Sequence, residues 1–255
     1  MTASIDRCPS GSTSPLLRNG LLVLAALLGG TPALAQVAAV RGAEQPGNPC
    51  GMIYTDHYGP YDYRTQRPSL KIVEDFHYTP RVEAGISGST GPIGGDLNYT
   101  LKASPNHHRA LNTLMRVLAR VKAEGVKGME WPMDCYFDRA MRFKPDDTVV
   151  RAMFAQYLHS RGKTAEGIKQ LDAAVEIAGD SPFSQYNIGL VYLELGAHEQ
   201  ALRQAHKAIG MGFPRTELSD GLKKAGKWRE PEPAQPAPAA SAASAAGAPA
   251  SAASR

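Results

Sequence analysis

Residues 148–181 read TVVRAMFAQYLHSRGKTAEGIKQLDAAVEIAGDS and residues 182–215 read PFSQYNIGLVYLELGAHEQALRQAHKAIGMGFPR, two blocks that superpose at an offset of 34. Under that offset Phe154 aligns with Ile188, Ala155 with Gly189, Leu158 with Tyr192 and Gly162 with Gly196, while Leu171 meets Ala205 and Ala174 meets Ala208. Within each block, apolar or small residues recur three or four apart on both sides of a central glycine. That is the period of two amphipathic helices joined by a tight turn. Alanine and glycine at the matched places let the helices approach closely. A lone hairpin cannot bury its apolar stripe, so neighbouring hairpins must stack. The expected fold class is all-α.

Gly189, Tyr192, Gly196, Ala201, Ala208 and Pro214 together resemble the tetratricopeptide repeat (TPR) family, and the resemblance covers residues 182–215 well. In the preceding block Gly162, Leu171 and Ala174 fit, whereas Arg151 replaces the usual bulky aromatic and Gly167 stands where alanine is common. The resemblance implies TPR-type stacked helical hairpins wound into a right-handed superhelix. It also implies a concave groove, lined by the first helix of each hairpin, that holds an extended peptide or a partner helix.

Working outward towards the N-terminus, YFDRAMRFKPDD at 136–147 has the cadence of a second helix, with Phe137 and Ala140 inside and Pro145 ending it. Its first helix is expected in HHRALNTLMRVLARVKAEG. The steps from Pro105 to Gly125 and from Gly125 to Pro145 are 20 residues each, against 17 from Gly179 to Gly196, so three extra residues lie in each helix or its turn. Trp131-Pro132 marks the start of the second helix. Residues 79–105 are expected to form a degenerate hairpin, TPRVEAGISG followed by GGDLNYTLKASP, with Thr79 capping its first helix. The adjacent histidines of SPNHHRAL then fall between two hairpins, with Asn106 or Ser104 as the cap. Residues 36–78, dense in glycine, proline and tyrosine, read as an irregular N-terminal arm in which only LKIVEDF at 70–76 hints at a strand or short helix.

At the other end, TELSDGLKKAGK at 216–227 carries Leu218, Leu222 and Ala225 on one side, as a capping helix should, and Trp228 closes the 106–228 repeat domain. Residues 229–255, rich in proline and alanine, are expected to be a disordered C-terminal tail.

The 255 residues are 43% hydrophobic and 20% charged, with a formal net charge of +4. That charge is too small and too scattered to argue for nucleic acid or an anionic membrane. In residues 1–35, Arg7 and Arg18 precede LLVLAALLGG and then TPALAQ, the design of a secretory signal peptide cleaved after Ala35. The expectation is a periplasmic or secreted protein with no membrane insertion after cleavage. Cys8 leaves with the signal, and Cys50 and Cys135 remain in a compartment that permits a disulfide between them.

Signals for chemistry are weak. GISGSTG at 85–91 lacks the frame of a nucleophile elbow, and GSTGPIGG has no following Lys-Ser or Lys-Thr to hold phosphates. A metal or haem site, or a hydrolase centre, would draw on His57, His77, His107 and His108, with Asp96. Adjacent helical residues point about 100° apart, however, and no H-x3-H or C-x2-C spacing occurs. The favoured expectation is therefore a non-enzymatic scaffold or assembly factor of the bacterial cell envelope, needing no metal or cofactor and binding a protein or peptide. Counted back from each turn glycine, the groove positions that the resemblance implies are Asn112, Met115, Arg116, Ala119 and Lys122, then Ala152, Gln156 and His159, then Tyr186, Asn187 and Leu190. Arg116 and Lys122 suit a carboxylate, and Tyr186 and Leu190 suit apolar contact. The carboxylate-gripping pattern of some relatives of this fold is not reproduced.

Overall fold

In a computed structural model, residues 47–54 and 57–231 are described. They form ten helices and no strand: α1 Arg67–His77, α2 Pro80–Glu83, α3 Ile93–Ala103, α4 His108–Val121, α5 Met133–Phe143, α6 Thr148–Ser160, α7 Thr164–Ala178, α8 Pro182–Glu194, α9 His198–Gly210 and α10 Glu217–Lys224. The protein is all-α over this span. The signal segment expected at 1–35, and all but the first residues of the tail expected at 229–255, lie outside the described residues. No helix among the described residues is long and apolar enough to cross a membrane.

The two aligned blocks form hairpins. α6 packs along α7, α8 along α9, and α7 along α8. Gly162 (φ 77°) and Gly196 (φ 75°) end the first helix of each. Beyond them the chain closes back, with Lys163 N donating to Leu158 O and Ala197 N to Tyr192 O, both at 2.9 Å. Such a turn needs a left-handed residue, which glycine adopts without a Cβ penalty. Local capping sets the starts: the Asp147 carboxylate accepts from Val149 N and Val150 N at the head of α6, and Ser181 Oγ from Ser184 N at the head of α8.

The preceding hairpin, α4 with α5, departs from the expected spacing. Its extra residues lie in the turn, because α4 stops at Val121 and α5 begins at Met133. Lys122, not Gly125, takes the left-handed position, with φ 51°. The long turn is pinned elsewhere: a Cβ on Gly128 would sit 2.4 Å from Gly95 N, so only glycine lets this loop lie against the first turn of α3.

Three expectations for the N-terminal third need correction. The described part of the arm is irregular only to residue 66, since 67–77 is helix α1, burying Leu70 and Val73. The hairpin expected over 79–105 is built instead from α1 and α3, which pack together. The stretch from Thr79 gives a single turn, α2, that ends at Gly85 (φ 71°), and Thr79 Oγ1 bonds Ser89 Oγ at 2.6 Å rather than a helix amide. Neither Ser104 nor Asn106 caps α4. His107 does, its Nδ1 accepting from Ala110 N at 3.1 Å.

Two apolar cores meet at α6. Leu97, Leu101, Leu111, Leu114, Phe137 and Val150 belong to one, and Ala155, Leu171, Tyr192, Ala201 and Leu222 to the other. Phe137 stacks on Phe154 with ring centroids 4.9 Å apart. The capping helix α10 lays Leu218 and Leu222 on α8 and α9, whereas Ala225 is exposed. Trp228 packs at the edge of this core as expected. The arm is fastened to α5 by the Cys50–Cys135 disulfide and by buried Arg139, which donates to Cys50 O (3.1 Å) and Met52 O (2.7 Å) and lies 4.1 Å over the Trp131 ring.

His107 also makes this corner acid-sensitive. Its side chain is fully buried, and Nε2 lies 3.1 Å from Glu74 Oε1. Nδ1 accepts the Ala110 N–H hydrogen bond, so the neutral tautomer must donate through Nε2. Burial, outweighing Glu74, lowers its pKa below the ordinary 6.5. A depressed native pKa means that the contribution is complete above the unfolded value and is lost as pH falls through the native one. Protonation would also turn the capping acceptor into a donor. Urea unfolding should show stability declining as pH drops below about 6.5. His107→Asn, which keeps a cap and removes the titration, should flatten that decline; an unchanged slope would refute the assignment.

Candidate functional site

The first helices α4, α6 and α8 contact one another in sequence, α4 with α6 and α6 with α8. Two open clefts lie along them. The cleft between α4 and the C-terminal end of α6, about 460 Å³, takes in Asn112, Met115, Arg116, Ala119 and Lys122, together with Tyr157 and Arg161. The cleft between α6 and α8, about 450 Å³, takes in Ala152, Gln156, Asn187 and Leu190, together with Val149 and Phe183.

The two differ in character. The α4–α6 cleft is basic, since Arg116, Lys122 and Arg161 face one carboxylate, Glu124, which pairs with Arg161. Arg116 is oriented by the Glu83 carbonyl (2.6 Å) and Thr113 Oγ1 (3.2 Å). Tyr157 stays a neutral hydroxyl, its pKa pushed up to about 12 by burial and by Asp134. The α6–α8 cleft is mainly apolar, with Phe183 59% and Val149 41% exposed. Gln156 Nε2 donates to Glu194 Oε2 across it at 2.6 Å.

Two groove expectations fail. Tyr186 is 3% exposed, packs on Phe213 and donates its hydroxyl to Glu217 Oε2, so it belongs to the core beneath α10. Tyr186 and Asn187 are neighbours on a helix and face different ways, so only Asn187 reaches the cleft. His159 is turned to Thr164 Oγ1, 2.9 Å away, and closes the α6–α7 turn. Residues missed at first, Val149, Met153 and Phe183, lie three or four positions from those named and share their face. Arg161 and Tyr157 were missed because α4 is followed by a long turn, which sets α6 against it at a register that the turn glycines do not report.

The structure does not bring the four histidines together. His77 bonds Asp96 (2.9 Å), His107 bonds Glu74 (3.1 Å) and His108 bonds Asp147 (2.8 Å), each on its own carboxylate. Among the described residues there is no group of three or more His, Cys, Asp or Glu side chains placed to hold a metal ion. His107 and His108 both touch the Tyr63 ring and tie the arm to α4. Comparison with protein-family models, with curated proteins and with solved structures returned no match for this chain.

Proposed function

We propose that this chain is a TPR-type array of hairpins, wound as a right-handed superhelix, that works as a non-enzymatic scaffold or assembly factor. It grips a segment of a partner protein along α4, α6 and α8. The observation that carries this reading is the pairing of an apolar cleft with a basic one on successive first helices. A segment that fits would set apolar side chains against Phe183, Val149 and Leu190 and a carboxylate near Arg116, Lys122 and Arg161. Apolar anchors supply most of the affinity, and the charges supply orientation and salt dependence. The signal-like segment at 1–35 and the disulfide support an envelope or extracellular location, where thiols stay oxidised.

A photo-crosslinking residue placed at Asn187 should capture a protein from bacterial envelope extract. Leu190→Glu, which puts a charge in the apolar cleft, should cut capture at least about tenfold, and Arg116→Glu should remove its salt dependence. Equal capture from a crosslinker at Lys207, which pairs with Asp180 and lines neither cleft, would overturn the groove as the binding surface.

A further inference from the structure

The apolar cleft between α6 and α8 has two walls with helical spacing. Val149, Ala152, Met153 and Gln156 line it from α6, three or four positions apart, and Asn187 and Leu190 do so from α8. The polar side chains among them are spent on the walls themselves. Asn187 Nδ2 donates to the Phe183 carbonyl at 2.9 Å, Gln156 Nε2 donates to Glu194 Oε2 at 2.6 Å, and Ser184 Oγ accepts from Ser181 Oγ at 3.0 Å.

That inventory separates two kinds of occupant. An extended segment brings an unpaired amide and an unpaired carbonyl with nearly every residue, and those turned to the walls would meet side chains with little hydrogen-bonding capacity left. Each group stranded in this way costs free energy. A helix satisfies its main chain internally and presents only a stripe of side chains, at the spacing that the walls already have. The cleft therefore favours a helix.

Charge orients it. The basic cleft lies at the C-terminal end of α6, where Arg116, Lys122 and Arg161 face one carboxylate, Glu124, whereas the apolar lining from α6 lies towards its N-terminal end. Arg161 is eight residues beyond Met153, or about 12 Å along the helix. Acidic side chains suit the three cations, and the C-terminal end of a bound helix adds its own negative partial charge.

We propose that the partner segment is an amphipathic helix with an acidic C-terminal turn. It lies across α6 in the same direction, its apolar stripe on Met153, Phe183 and Leu190 and its Asp or Glu side chains at Arg116 and Arg161. The proposal rests on the groove reading above and narrows it to one class of partner.

The test is selection on the purified full chain from two displayed peptide libraries of equal length. One sets apolar residues at i, i+3, i+4 and i+7 in an alanine-rich frame, and the other carries proline at every third position, which forbids a helix. The helical library should enrich, with Asp or Glu about eight positions after the central apolar residue. Binding of the enriched peptides should fall at least about tenfold on Leu190→Glu and severalfold on Arg161→Glu, with unfolding midpoints unchanged. Should Leu190→Glu disturb folding, Val149→Glu on the opposite wall, at a side chain 41% exposed, takes its place. Enrichment of the proline library, abolished by Leu190→Glu, would overturn the helix and leave the groove standing. Helices enriched without the acidic turn, or with it at their N-terminal end, also overturn the proposal. If neither library yields a peptide sensitive to Leu190→Glu, the groove reading falls with it.

Discussion

An Asp147→Ala variant is expected to lose about 3–5 kcal/mol of folding stability, the penalty for breaking a buried charged hydrogen-bond network. Asp147 is 1% exposed and serves four donors: Val149 N and Val150 N at the head of α6 (3.2 and 3.3 Å), His108 Nε2 (2.8 Å) and Asn106 Nδ2 (2.9 Å). Alanine removes the cap, takes the partner from half-buried His108 Nε2 and leaves buried Asn106 Nδ2 with one of its two acceptors. Asn106 also donates to Asp62 Oδ1 at 2.8 Å and accepts from Tyr63 N at 3.1 Å, so the loss reaches the arm. In a domain of this size the thermal midpoint should fall by about 10 °C. The neighbouring Asp146→Ala should cost about 0.5 kcal/mol or less, because that side chain is 67% exposed. A midpoint within about 2 °C of the parent would show that the network carries no such energy. Burial would raise the Asp147 carboxyl, yet the His108 and Asn106 hydrogen bonds outweigh it and lower the pKa. Its contribution is therefore complete above the ordinary carboxylate pKa of about 4 and is lost as pH falls through the native value.

Opening the Cys50–Cys135 bridge should have an effect of similar size. The bridge spans a sequence separation of 85. Constraining the unfolded chain over a loop of that length stabilises by on the order of 4.5 kcal/mol in the chain-entropy account. A Cys50→Ser, Cys135→Ser double variant should unfold at lower urea with little change in slope. The arm has its own attachments, Arg139 to Cys50 O and Met52 O and Arg142 to Gly51 O at 3.0 Å. Helical circular dichroism in buffer should therefore be retained while proteolysis near residues 47–54 quickens. Equal stability with and without reductant would refute the role of the bridge.

The hairpins of the C-terminal half were legible because their signals are local. Gly162 and Gly196 end helices within a few residues of the carbonyls that they free, and the 34-residue offset repeats the apolar stripe. The clefts were legible in part for the same reason. Asn112, Met115, Gln156 and Asn187 follow from helical period once the turns are placed, whereas Tyr186, one position from Asn187, faces the core instead. Arg161 was invisible because its neighbours on α4 depend on how the turn at 122–132 folds back, and the close approach of Gly128 to Gly95 decides that.

The histidine pair shows the division most sharply. By itself the sequence determined the helical class of the described residues, the places where the repeat turns, the cysteines available for pairing and the helix start near residue 108, because each depends on residues a few positions apart. Only the tertiary structure decided that His107 caps α4 and reaches Glu74, that His108 meets Asp147, and that His77 meets Asp96. Those contacts join residues tens of positions apart. A side chain's local pattern is the same whichever distant partner it meets, so the partner appears only when packing brings the segments together.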